Sequence, residues 1–296
     1  MEIREKIIDL LDSADDLPEG DSRLDVLNQA VKLATMHQIE DLEYDAKFSY
    51  SKEAINSGRS ERILQYFPWL LFWSDSNPED ASVDSIIWLY KWAIITLTDF
   101  SRIEKSRILE AQIDLEKRME AAYFSQYDIL ETRRLAHISL GNADEALLAH
   151  ETMVEKVGLA DKWKDDEDEI YKTGFFLEKM GRIEEAREIM RPLLDSKKAT
   201  DYRLMSRTLM LSPLAAMGEV ELAAEYCRQS LQNIEMTPYY VPCHGDIIGF
   251  LAETGNWEKG IDLFEKTVNA SEENQLEMER ATYYQGVILL LESVLK

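Results

Sequence analysis

The sequence predicts an all-α protein: a right-handed α-solenoid of about seven antiparallel helix pairs, followed by one C-terminal helix. Three observations carry that expectation. A short segment recurs, as LGNADEALLAHETMV from Leu140, MGRIEEAREIMRPLL from Met180, MGEVELAAEYCRQSL from Met217 and TGNWEKGIDLFEKTV from Thr254. Only twelve glycines and seven prolines occur in 296 residues, which suits long helices with short turns. No sustained period-two alternation is present, as half-buried strands would require.

Taken in order, a first unit turns near Gly20 and Asp21, where Val26, Leu27, Ala30, Leu33 and Ala34 form an apolar stripe. A second turns at Gly58, followed by Ile63, Leu64, Phe67, Leu70 and Leu71. The gap from Gly58 to Gly141 is two repeats long, which places a third turn near Ser101, where no glycine stands. Gly141, Gly181, Gly218 and Gly255 mark the remaining turns, and a last unpaired helix runs from about Leu276 to Leu295. Because repeats share one continuous core, residues 1–296 are expected to form a single domain.

Each unit has a physical logic. Glycine after a helix permits the left-handed conformation that closes the C-terminus. Asn142 and Asn256 stand where a side chain is expected to cap the second helix. Asp144, Glu145, Glu184, Glu185 and Glu258 fall in its first turn, where the helix dipole favours anions. Ala146, Ala186, Ala223 and Gly260 hold the small position five residues past the glycine, so two helices approach closely there. Met153, Met190, Cys227 and Phe264 are expected to fill the space between units.

These segments resemble the tetratricopeptide repeat family, from about Asp21 to Val268 and most closely from Gly141 onward. The Gly-then-Ala spacing and the aromatics Phe67 and Phe264 carry the resemblance, although the period is nearer 40 residues than 34. It implies a groove lined by the first helix of each pair, at positions 3, 6, 10 and 13 before each turn. Those offsets give Asp45, Phe48 and Lys52; Trp88 and Lys91; Glu131; and Tyr171, Phe175 and Glu178. The mixture suits a peptide, with aromatic anchors and charges for register. The competing reading of Phe48, Trp88 and Phe175 is packing between units.

Composition limits the partners. Formal charge is −24, from 57 acidic and 33 basic residues, which excludes a nucleic-acid reader or an anionic membrane surface and permits a basic partner. The acidic run Asp161–Glu169 reads as a solvated loop and helix start. The N-terminal MEIREKIIDLLDSADD is unlike a signal peptide, and no apolar run reaches membrane-spanning length. Two cysteines, Cys227 and Cys243, make no disulfide framework, so a reducing, cytoplasmic location is expected. The four histidines are scattered, and no phosphate-binding loop or metalloprotease motif occurs; catalytic residues, metal and cofactor are all expected to be absent.

Two regions stand apart. Five of the eight residues in Tyr66–Trp73 are aromatic, with Trp88, Tyr90 and Trp92 close behind; they read either as a thick core or as an exposed hot spot, and Pro68 favours core through a kink. In the C-terminal helix, Val287, Leu290, Leu291 and Val294 spread around the circumference, so an interface with a second subunit (a homodimer) or a partner is expected there. The leading expectation is a scaffold, adaptor or regulator that binds protein or peptide. An acidic inhibitor that blocks a basic partner is the alternative, and a helical-repeat enzyme a minor one.

Overall fold

A computed structural model describes residues 2–157, 166–196, 198 and 200–295. Among these residues the chain is all-helical, with no strand. The helices are α1 (Glu2–Asp15), α2 (Asp21–His37), α3 (Glu40–Asn56), α4 (Ile63–Ser76), α5 (Val83–Thr98), α6 (Lys105–Ala121), α7 (Gln126–Ser139) and α8 (Ala143–Val157). After them come α9 (Glu167–Lys179), α10 (Ile183–Leu194), α11 (Asp201–Leu209), α12 (Leu211–Ala216), α13 (Val220–Leu231), α14 (Val241–Glu253), α15 (Trp257–Glu273) and α16 (Glu277–Val294). Short 3-10 turns cover Ser60–Arg62 and Pro238–Tyr240.

One backbone device ends several of these helices. At Gly181 (φ +72°) the Gly181 N–H donates to the Glu178 carbonyl at 2.8 Å and the Arg182 N–H to the Leu177 carbonyl at 2.8 Å. This is the Schellman pattern, which satisfies two carbonyls the helix leaves open. The same pair of bonds forms at Gly58, Gly141, Gly218 and Gly255, all at positive φ. It also forms at Gln38 (φ 54°) and Tyr123 (φ 60°), behind α2 and α6, with side chains that resist this conformation. The expected asparagine caps do not form. Asn256 precedes α15 but its side chain donates back to Thr254, and the Asn142 amide meets the His137 ring at 3.3 Å.

The chain divides into two compact units, Met1–Thr132 and Arg133–Lys296. In the first, each helix from α1 to α6 packs on the next, and α3 also touches α1 and α5. On α4, Ile63, Phe67, Leu70 and Trp73 recur every three or four residues and are buried, as is Tyr90 on α5, while Tyr66, Trp69, Trp88 and Trp92 are half-buried. Trp73 stacks on Tyr44 with centroids 4.3 Å apart, while Phe72 points outward at 71% exposure. The buried carboxylate of Glu53 accepts the Gly20 N–H at 2.7 Å and pairs with Arg23 at 3.2 Å, which fastens the first turn to α3.

In the second unit α9 packs on α10 and α11, α11 on α13 and α14, and α14 on α15 and α16. Ala146, Ala186 and Ala223 are fully buried, as are Met153 and Met190. The helix expected before Gly218 breaks at Met210 into α11 and α12. Pro213 is the cause: it has no N–H to give the Leu209 carbonyl. The tightest approach joins α14 to α16. A Cβ added to Gly286 would stand 2.0 Å from the Gly245 carbonyl oxygen, and one on Gly245 2.5 Å from the Tyr283 Cα. A Cβ on Gly249 would lie 3.5 Å from the Gly286 Cα, an ordinary contact.

Gly286→Ala should therefore lower stability in urea unfolding by about 1–3 kcal/mol through overpacking, whereas Gly249→Ala should be neutral or slightly stabilising. Equal effects would contradict the close-approach account. Gln38→Gly relieves a left-handed non-glycine residue and should raise stability by about 1 kcal/mol.

Candidate functional site

On α9, Asp168, Tyr171, Phe175 and Glu178 share one face, and each is half-buried. Ile170, Thr173, Phe176 and Leu177 turn the other way into the core. The Tyr171 ring lies 6.1 Å from Phe175 and 5.9 Å from Tyr202 on α11. Tyr239, in the 3-10 turn before α14, packs edge-on against Tyr240 at 4.9 Å, and the Tyr240 hydroxyl donates to Asp201 at 2.6 Å. α9, α11 and the 3-10 turn before α14 thus carry the half-buried rings Tyr171, Phe175, Tyr202 and Tyr239.

Charges frame the row. The Lys179 ammonium sits 5.2 Å from the Phe175 ring centroid and pairs with Glu178 at 3.1 Å. Lys172 takes Asp168 at 2.6 Å. Glu167 accepts from Thr200 at 2.5 Å and pairs with Arg203. Asp246 on α14 differs from all of these. Among the described residues no hydrogen bond or ion pair reaches its carboxylate, and Lys179, Glu178 and Tyr171 are its electrostatic neighbours. Burial pushes this carboxyl up to about 7, and burial also holds the Tyr171 phenol well above its ordinary value.

The other expected groove residues lie in the first unit. Asp45 and Lys52 are exposed, and Phe48 is half-buried, stacked on Tyr44 at 6.2 Å. Trp88 is half-buried with its ring 6.5 Å from that of Trp92. Lys91 pairs with Glu131 at 3.7 Å, and Glu131 is only 3% exposed, so these two charges are engaged with each other. The expected C-terminal interface needs correction. Val287 and Leu290 are buried, because α16 lays them against the second unit's core and Leu290 fills the space beside Gly260. Leu291 and Val294 remain outside, next to exposed Ile288, Leu289 and Leu295.

Asp246, Tyr202 and Tyr239 escaped the offset rule. Counting back from Gly255, the groove positions fall on Pro242, Gly245, Gly249 and Ala252; Gly245 and Gly249 face α16 instead. The break at Met210 disrupts the count in the same way for α11. Of the acidic run, Asp166 caps α9 by accepting from Asp168 and Glu169, and Glu167–Glu169 form its first turn. Asp161–Asp165 lie outside the described residues.

Among the described residues no group of histidine, cysteine or carboxylate side chains is arranged to hold a metal ion. Nor, among them, is any helix long and apolar enough to cross a membrane. Cys227 and Cys243 are buried free thiols, pushed up to about 11 and about 12 by burial. No protein-family model matches the chain, and no curated protein matches it either.

Two outcomes follow. Both thiols should resist a disulfide reagent such as DTNB at pH 8 in the native protein and react on unfolding; rapid native labelling would contradict their burial. Asp246 binds its proton more tightly folded than unfolded, so its contribution to stability is present below pH 4 and is lost as pH rises through about 7. Asp246→Asn should flatten that part of a stability–pH profile, while an unchanged slope would refute the assignment.

Proposed function

We propose that this chain is a cytoplasmic, tetratricopeptide-like helical solenoid that binds another protein or peptide and acts as a scaffold, adaptor or regulator. One observation supports the reading above the others: the half-buried row Tyr171, Phe175, Tyr202 and Tyr239 along adjacent helices of the second unit. Rings in such a row offer large contact area at small entropic loss, and neighbouring acids fix register. The solenoid part of the reading draws on the repeated Schellman glycines and on the packing of α11 against both α9 and α14, with α10 and then α12–α13 between them in sequence.

The reading is tested by capture from a native lysate on immobilised protein, followed by quantification of whatever binds. The pair Tyr171→Ala and Phe175→Ala should reduce capture of a specific partner by at least about tenfold, the usual scale for losing an aromatic anchor. Undiminished capture by the folded double variant would refute the groove.

A further inference from the structure

We propose that the first unit holds a binding site for a small organic monocarboxylate with an apolar body, in the cleft between α2 and α4. The site is separate from the binding reading above, which stands on residues of the second unit. α2 and α4 each pack on α3, and the cleft between them measures about 480 Å³, the size of a small-molecule site. One face of α2 forms a wall, because Asn28, Val31, Lys32, Thr35 and Met36 recur at helical spacing. Tyr66 on α4 stands on the other side, and Lys47 reaches the cleft from α3. The Tyr66 hydroxyl donates to Asn28 Oδ1 at 3.2 Å, which ties the two walls together and leaves the Asn28 amide nitrogen as a donor.

Charge decides the ligand class. The charged residues that line the cleft are both lysines, Lys32 and Lys47, in a chain where acids outnumber bases by 57 to 33. Lys47 is only 6% exposed and is held from several sides. Its ammonium lies 3.7 Å from the Trp69 ring centroid and 5.6 Å from that of Tyr66, and it pairs with buried Glu43 one turn earlier. The same Glu43 oxygen accepts from the Thr35 hydroxyl at 2.8 Å, so Lys47 shares its acceptor. An ammonium carries three N–H donors, and Glu43 takes one of them. Lys32 adds an exposed ammonium on the same cleft. With Glu43 counted, the two lysines leave a surplus of one positive charge, which matches a monocarboxylate better than a doubly charged phosphate ester. Buried Val31, the half-buried Tyr66 ring and Met36, which is 67% exposed, supply apolar surface for the rest of the ligand.

The test titrates the full chain with two fluorinated probes followed by fluorine NMR: 6-fluoro-2-naphthoate and its uncharged amide, 6-fluoro-2-naphthamide. The carboxylate should bind at least about tenfold tighter than the amide. Lys32→Gln should weaken the carboxylate at least about fivefold and leave the amide nearly unchanged. Lys6→Gln, exposed on α1, should change either affinity less than about twofold, as a screened remote charge does. Gln65 is an exposed residue on the α4 side of the cleft, so Gln65→Trp should obstruct both probes while thermal unfolding stays nearly unchanged. Equal affinity for the two probes, or no binding of the carboxylate at about 1 mM, would overturn the proposal. So would equal losses from the two lysine substitutions, which mean unspecific attraction, or carboxylate binding that Gln65→Trp leaves intact. The lysate capture assay reads Tyr171 and Phe175 instead, so either result can fail without the other.

Discussion

Reversal of the chain at Gly58, Gly141, Gly181, Gly218 and Gly255 depends on a residue held in the left-handed conformation, with two backbone bonds folded back onto the last turn. At Gly181 and Gly255 both bonds are near 3 Å, and nothing stands within 4 Å of where a Cβ would be. Space is therefore not the constraint; the dihedral is. Once the turn is set, the next helix must return along its predecessor, and the small residue five positions on lets the two come close. Ala186 and Ala223 are fully buried for that reason. Gln38 and Tyr123 make the same turn without glycine, and Tyr123 does so almost fully exposed.

The aromatic face of the second unit is a consequence of those turns. They place α11 beside both α9 and α14, with Tyr171, Phe175 and Tyr202 half-buried, while Phe176, Leu177 and Leu204 enter the core. Gly245, Gly249 and Gly286 then bring α16 against α14 at backbone distance.

Much of this was legible beforehand, because periodicity and turn chemistry are local. The glycines marked helix ends, and the offsets before Gly181 found Tyr171, Phe175 and Glu178 on one face. What stayed hidden depends on pairings distant in sequence. The proline break inside the unit before Gly218 removed its register, so Tyr202 was not counted. Gly245 and Gly249 fall at the groove offsets before Gly255 and form a helix contact instead. Val287 and Leu290 looked like a free surface, because no sequence pattern shows which side of a terminal helix its neighbours occupy. Capping asparagines were expected by residue type, yet the Asn256 side chain found the closer Thr254 carbonyl. Pro68 was expected to need large filling residues, and buried Phe67, Leu70 and Trp73 surround it in sequence.

The claim on which the functional account rests is where a partner contacts the chain. The most direct measurement is photo-crosslinking in native lysate by chains carrying benzoylphenylalanine at Tyr202, at Phe72 or at Leu291, read as specific partner adducts. The account predicts adducts from position 202 that the pair Tyr171→Ala and Phe175→Ala removes. Adducts formed from position 72 or 291, with none from 202, would contradict it.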